Sequence, residues 1–227
     1  MDTSAIADRI NSYKARGLRL FATSSFQTQS LPLLHILSRI DASIPVYFIN
    51  TGFLFPASLR FRDRLAKQLG LRVVTVHPAV PKSQQIGCDG QLLFANDPDR
   101  CCYLNKVQPM ETVIAAHDVW INGVRADQTA QRKAMQSEQP GPHGVLRYHP
   151  MLAWSARDVH AYMQEHGLPP HPLEAEGYLS IGCEPCTRKY LEADDGRGGR
   201  WFGMNKRECG LHTELASTGD KKQRAQA

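Results

Sequence analysis

The chain has 227 residues, 42% hydrophobic and 22% charged, which supplies the apolar mass of one full core and makes a single domain with a tail the default. A formal charge of +5 suits a phosphorylated small molecule or an acidic partner as well as nucleic acid, so charge alone selects none of these. No leading run joins a basic start to an apolar stretch and a small-residue cleavage site, and no apolar run spans a bilayer. That excludes secreted and membrane-spanning classes and points to the reducing cytoplasm, where six cysteines signal metal binding or catalysis rather than disulfides.

Helical spacing of Ile6, Ile10 and Tyr13 predicts an opening helix ending by Gly17, followed by a short buried strand at Leu18–Ala22. The polar run Thr23 to Ser30 leads into an apolar helix from about Ser30 to Ile40, and Ile44–Ile49 is a second strand running into Asn50-Thr51-Gly52. A helix through Leu59, Phe61, Leu65 and Leu69 precedes a third strand at Arg72–Val76; Asp118–Ile121 is a fourth. Strands alternating with helices predict an α/β fold, a mainly parallel sheet with helices on both faces and ligand loops at the carboxyl ends of its strands. Ser155 and Asp158 form a capping box for a helix that turns Val159, Tyr162 and Met163 inward and stops at Gly167, and prolines 169, 170 and 172 enforce an extended connection. Residues 1–192 are expected to form one domain. Residues 193–227, rich in glycine, charge and polar side chains, are expected to be a flexible segment that carries Cys209.

Cys101 and Cys102, with the Cys183-x-x-Cys186 turn, offer four thiolates, a set that an iron-sulfur cluster or a structural zinc would accept; buried small hydrophobes are the plainer alternative. Adjacent residues of a strand point to opposite faces, so joint ligation by Cys101 and Cys102 requires a helical or kinked backbone. Cys209 has Lys206, Arg207 and His212 within a few residues, cations that favour thiolate in a nucleophile and would merely solvate an ordinary surface cysteine. The loop from Thr23 to Ser30 opens a helix, where backbone N–H groups favour an anion, although an ordinary Ser/Thr-rich helix start looks the same. Lys106, Arg125, Arg132, Arg197 and Arg200 could hold phosphate or sulfate, or could be solvated surface residues. Cys88 and the remaining histidines are read as filler, surface or caps.

Taken together, Cys101-Cys-Tyr-Leu-Asn-Lys-Val-Gln-Pro109, Ser180-Ile-Gly-Cys-Glu-Pro-Cys-Thr187 and Glu208-Cys-Gly-Leu-His212 resemble the assimilatory sulfonucleotide reductases, specifically the cluster-containing adenylyl sulfate (APS) reductases, from about Leu18 to His212. The resemblance implies an adenine nucleotide alpha hydrolase-like fold. It makes Cys101, Cys102, Cys183 and Cys186 ligands of a 4Fe-4S cluster and Cys209 the catalytic nucleophile. Ser24, Ser25, Phe26, Gln27 and Gln29 fall in the family's modified pyrophosphate loop, and Ile49, Thr51 and Gly52 in its second nucleotide-binding turn. Lys106 takes the place of a lysine between cluster and substrate, and Arg125, Arg132, Arg197, Arg200 and His212 take the places of anion-binding groups. The implied activity is thioredoxin-dependent reduction of APS to sulfite and AMP through an S-sulfocysteine, with thioredoxin or glutaredoxin as reductant and no nucleic-acid or membrane partner. Homo-oligomerisation is left open.

Asn105 stands where many APS reductases have arginine, Ala126 replaces a frequent second arginine, and the Ser-Ser-Phe-x-x-Gln loop is similar to that of 3'-phosphoadenylyl sulfate (PAPS) reductases. The cysteine quartet favours APS; PAPS or dual use is the alternative. A tRNA-thiolating enzyme of the same superfamily would need a glycine-bearing ATP loop, absent here, and would leave the tail Cys-Gly-Leu-His without a role; a metal-binding regulator, its cysteine cage sensing redox state or zinc without turnover, is the alternative of a different class.

Overall fold

A computed structural model describes residues 3–191, 198–204, 206 and 208–212. The expected segment beyond 192 therefore lies partly outside the described residues, as does Arg197, and of His212 only the backbone is described. Helix α1 (Ser4–Ala15) precedes β1 (Leu20–Thr23), α2 (Leu31–Asp41), β2 (Val46–Ile49), α3 (Pro56–Leu69) and β3 (Val73–Val76). The short helices α4 (Leu93–Asn96) and α5 (Pro98–Cys102) run into a π-helical segment, Tyr103–Val107, and then α6 (Gln108–Ala115). The chain continues with β4 (Val119–Asn122), α7 (Ala130–Lys133), β5 (Glu138–Pro140), β6 (Leu146–Tyr148) and α8 (Ala156–Glu165).

The six strands lie in the order β3-β2-β1-β4-β6-β5, all neighbours parallel except β5 with β6. Their polarity follows from composition. Val, Ile, Phe and Trp fill β1 and β4, whose residues are almost all buried, because helices cover both faces. One face packs α1, α2, α3 and α8 around Ile10, Leu34, Leu37, Phe61 and Met163; the other packs α6 against Phe21 and Trp120. Strand order reverses on either side of β1, so the loops after β1 and β4 splay apart at the carboxyl edge and leave a crevice there. Among the described residues no helix is long and apolar enough to cross a membrane.

The four expected strands occur within two residues of their anticipated bounds, and the Ser155–Asp158 capping box is formed, with Val159, Tyr162 and Met163 buried. Strands β5 and β6 and helix α6 were not anticipated. The strands are three residues each, too short for a period-2 pattern, and α6 carries Pro109 in its first turn, where its missing N–H costs nothing.

Candidate active site

A cleft of about 1100 Å³ occupies the crevice, lined by the loops after β1, β2 and β4, by residues 180–183 and by the segment bearing Arg200, Lys206, Glu208 and Cys209. Ser24, Ser25, Gln27, Gln29, Ile49, Thr51, Lys106, Arg125, Arg132 and Arg200 all line it, as does Cys209. Phe26 and Gly52 do not. Phe26 takes φ +55°, which turns its side chain into the core against Phe48, so its contribution is the shape of the loop. Its N–H donates to Ser24 Oγ at 3.0 Å, and Gln27 Oε1 accepts from Ile181 N–H at 2.9 Å, tying the loop to the second cysteine pair's turn. Gly52, at φ +73°, is covered by the Lys82 side chain, whose Cε would lie 2.5 Å from an added Cβ.

The arginines are not equivalent. Arg125 is spanned by Asp127, with Nε–Oδ1 at 3.0 Å, and donates to Gln29 Oε1 at 2.8 Å. Arg132 makes a bidentate pair with Glu208, both N–O distances being 2.8 Å. Arg200 instead lies over Trp201, 4.4 Å from the ring centroid, and donates to the Cys186 and Ile181 carbonyls at 3.3 Å each. It can do so only because residue 182 is glycine: a Cβ there would stand 2.1 Å from Arg200 Nη2.

The cysteine quartet is assembled by irregular backbone. Asp97 caps α5 through its carboxylate on Arg100 N–H, and the π turn that follows is the helical kink that adjacent ligands require. Cys101, Cys102, Cys183 and Cys186 are all buried and line one small cavity with Lys106 and Asn105. Burial, then the neighbouring thiols, pushes Cys101 up to about 12, and burial likewise pushes Cys186 up to about 11. Four sulfurs this close cannot all ionise unless positive charge joins them, so the donor set fits a multinuclear iron-sulfur group that displaces their protons. As placed, no three Cys, His, Asp or Glu side chains among the described residues could hold a single metal ion. Thr51, expected to bind nucleotide, also places its hydroxyl 3.3 Å from Cys183 Sγ.

Lys106 lies between quartet and cleft. Burial alone would lower its ammonium pKa, but the sulfurs of Cys183, Cys209 and Cys102 outweigh that, and its pKa stands above the ordinary lysine value. Cys209 shows the converse. Burial raises its thiol, yet Lys106, a backbone N–H from Leu211 and Arg200 together hold it below the ordinary cysteine value. The Gly210–His212 turn packs against the π segment, Leu211 enters the apolar cluster of Phe21 and Trp120, and Lys206 pairs with Asp99 of α5. Sequence reasoning gave Glu208 and Asp99 no part in this docking; the only signal was a carboxylate adjacent to Cys209.

Residues 19–189 match the model of the phosphoadenosine phosphosulfate reductase domain. The chain is 39% identical to an adenosine 5'-phosphosulfate reductase of Chelativorans sp. (strain BNC1), covering 89% of this chain and 82% of that one. It is 36% identical to a phosphoadenosine 5'-phosphosulfate reductase of Gloeobacter violaceus, covering 86% and 83%. In fold it is similar to the phosphoadenylyl-sulfate reductase of Candida auris solved with phosphate, at a TM-score of 0.66 and 21% identity, over 78% of this chain and 87% of that one. The fold is therefore that of the phosphoadenylyl-sulfate reductase, and the chain belongs to the phosphoadenosine phosphosulfate reductase family.

Proposed function

We propose that the protein reduces APS to sulfite and AMP in sulfate assimilation, with Cys209 as nucleophile and thioredoxin or glutaredoxin as reductant. One observation carries this reading: a thiol held below its ordinary pKa lines the cleft at the sheet's switch point, beside Lys106 and Arg200. The mixed APS and PAPS naming of relatives leaves APS favoured, since Chelativorans provides the more similar of the two.

The adenosine phosphate would sit on the loop from Ser24 to Gln29, whose N–H groups and following helix favour anions. The thiolate pair of Cys209 attacks the sulfate sulfur, forming an S–S bond while the S–O bond to phosphate breaks and its electrons leave on AMP. Lys106 and Arg200 offset the negative charge that must crowd together in that step. A thiolate of the reductant then attacks Cys209 Sγ and expels sulfite with the S–S electron pair. The reductant's second thiol closes its own disulfide and returns Cys209 as thiolate, so thiols supply both electrons. Cys101, Cys102, Cys183 and Cys186 would hold a 4Fe-4S cluster, which when bound would order this wall of the site and tune the charge near the sulfate, the positive charge itself coming from Lys106 and Arg200. The segment around Cys209 would leave its dock to meet the reductant, a movement that flanking glycines permit. Free cysteines throughout are compatible with a cytoplasmic setting.

Purified protein supplied with APS and reduced thioredoxin should release sulfite, and Cys209→Ser should release none. Equal release by both would remove Cys209 from the chemistry. Neither tRNA thiolation nor a metal-binding regulator yields sulfite, so the wild-type arm also separates those readings. With APS and PAPS offered together, sulfite should come mainly from APS; preferential use of PAPS would reassign the substrate.

A further inference from the structure

Gln85 and Asn105 form an arrangement that the reaction above does not use. Both side chains are 1% exposed. Gln85 closes the 3-10 turn Lys82–Gln84 after β3, its carbonyl accepting from Leu93 N–H at 2.9 Å, and Asn105 is the middle residue of the π segment. Their amides pair reciprocally: Asn105 Nδ2 donates to Gln85 Oε1 at 2.5 Å, and Gln85 Nε2 donates to Asn105 Oδ1 at 3.0 Å. An amide pair by itself could be turned over. Here it cannot, because Gln85 Nε2 also donates to the Val80 carbonyl at 2.8 Å, and a carbonyl only accepts. With Gln85 so fixed, one Asn105 N–H serves Gln85 and the other faces Cys101, 2.8 Å from its carbonyl oxygen and 3.6 Å from its Sγ. Reversing Asn105 would set oxygen against oxygen at both partners. The orientation thus passes from the Val80 carbonyl through two buried amides to a cysteine sulfur.

We propose that Asn105 is a positioning residue for Cys101, aiming an N–H at its thiolate under the control of Gln85, and so tuning one corner of the cluster site. The proposal rests on the reading of the quartet as 4Fe-4S ligands. An N–H donated to a ligating sulfur stabilises charge on that sulfur and weakens its donation to iron, one of the means by which a protein sets cluster bond strength and potential. Gln85 touches no cysteine in the contacts described, so any effect of changing it on the cluster must travel through Asn105.

The experiment is resonance Raman spectroscopy of the cluster-loaded protein alongside iron analysis. Asn105→Leu should keep wild-type iron content while its Fe–S(Cys) stretching bands move to higher frequency, and Gln85→Leu should move them in the same direction by less. Bands at wild-type positions in Asn105→Leu with full iron would overturn the proposal; so would a shift in Asn105→Leu with none in Gln85→Leu, since the relay would then be absent. Should Asn105→Leu not fold, Asn105→Asp, of equal size and without the N–H, and Gln85→Leu, which removes no cysteine contact, carry the same comparison. Wild-type protein devoid of iron would overturn the cluster reading itself, an outcome distinct from unshifted bands on a loaded cluster.

Discussion

The two walls of the cleft are built on opposite plans. The nucleotide wall hangs on the ends of β1, β2 and β4, regular and mostly apolar strands, and its loop geometry is held by short-range contacts such as Phe26 N–H to Ser24 Oγ. The cysteine wall has no strand among the described residues: a five-residue helix, a π turn, an isolated bridge between Leu54 and Cys183, and a segment around Cys209 docked by ion pairs. The first is a scaffold that would fold for packing reasons alone. The second gathers buried thiols and cations whose charges offset one another, so its integrity depends on keeping every member of the set.

That contrast breaks most sharply at Cys183. Cys183→Ala should abolish bound iron and sulfite release while AMP binding, measured by calorimetry, stays within about twofold, an effect far below the 1.4 kcal/mol of a tenfold change. Loss of AMP binding as well would show that the walls are one unit. Lys106→Gln should come next. With its ammonium gone, the Cys209 thiol pKa rises, so the thiolate fraction at neutral pH falls about tenfold for each unit of rise. Alkylation of Cys209 by iodoacetamide across a pH series reads this directly: the rate should climb with pH in both proteins, with the midpoint displaced upward in the variant. An unmoved midpoint would deny Lys106 its electrostatic role.

The smallest effect belongs to the scaffold. Burial holds His149 and His171 near 4, below the ordinary histidine value, and their rings are neutral. His171 Nδ1 accepts from Leu173 N–H at 3.2 Å, leaving Nε2 to donate to Ser58 Oγ at 3.0 Å. A base whose folded pKa is depressed gives stability present above its unfolded pKa and lost as pH falls toward the folded value. The unfolding free energy read from urea titrations should therefore fall between about pH 6.5 and pH 4. His171→Asn should flatten that slope, and an unchanged slope would place the acid sensitivity elsewhere.

The scaffold was the more legible wall. Runs such as Val46-Tyr-Phe-Ile49 and Val119-Trp-Ile-Asn122 announce buried strands, and the alternation with helices sets the parallel order and hence the crevice. On the cysteine wall, spacing disclosed the four thiols but not their supports. Arg132 and Glu208 are 76 residues apart, Thr51 and Cys183 are 132 apart, and Gln85 reaches Asn105 across a loop of irregular backbone. Such pairings leave no periodic trace, and a local reading assigned Thr51 and Arg132 to ligand where the fold also uses them to hold protein groups. The inward turn of Phe26 was illegible for a related reason, its sign of φ being invisible in a non-glycine residue.

The π turn between Cys102 and Gln108 carries a constraint of its own. A π turn accommodates one residue more than the α turn it interrupts, so deleting any of residues 103–107 would let the helix close up as an α turn and shift Cys101 and Cys102 relative to α6. Side chains along this stretch can be exchanged one for another, but its length cannot change without swinging half of the sulfur quartet away from the other half.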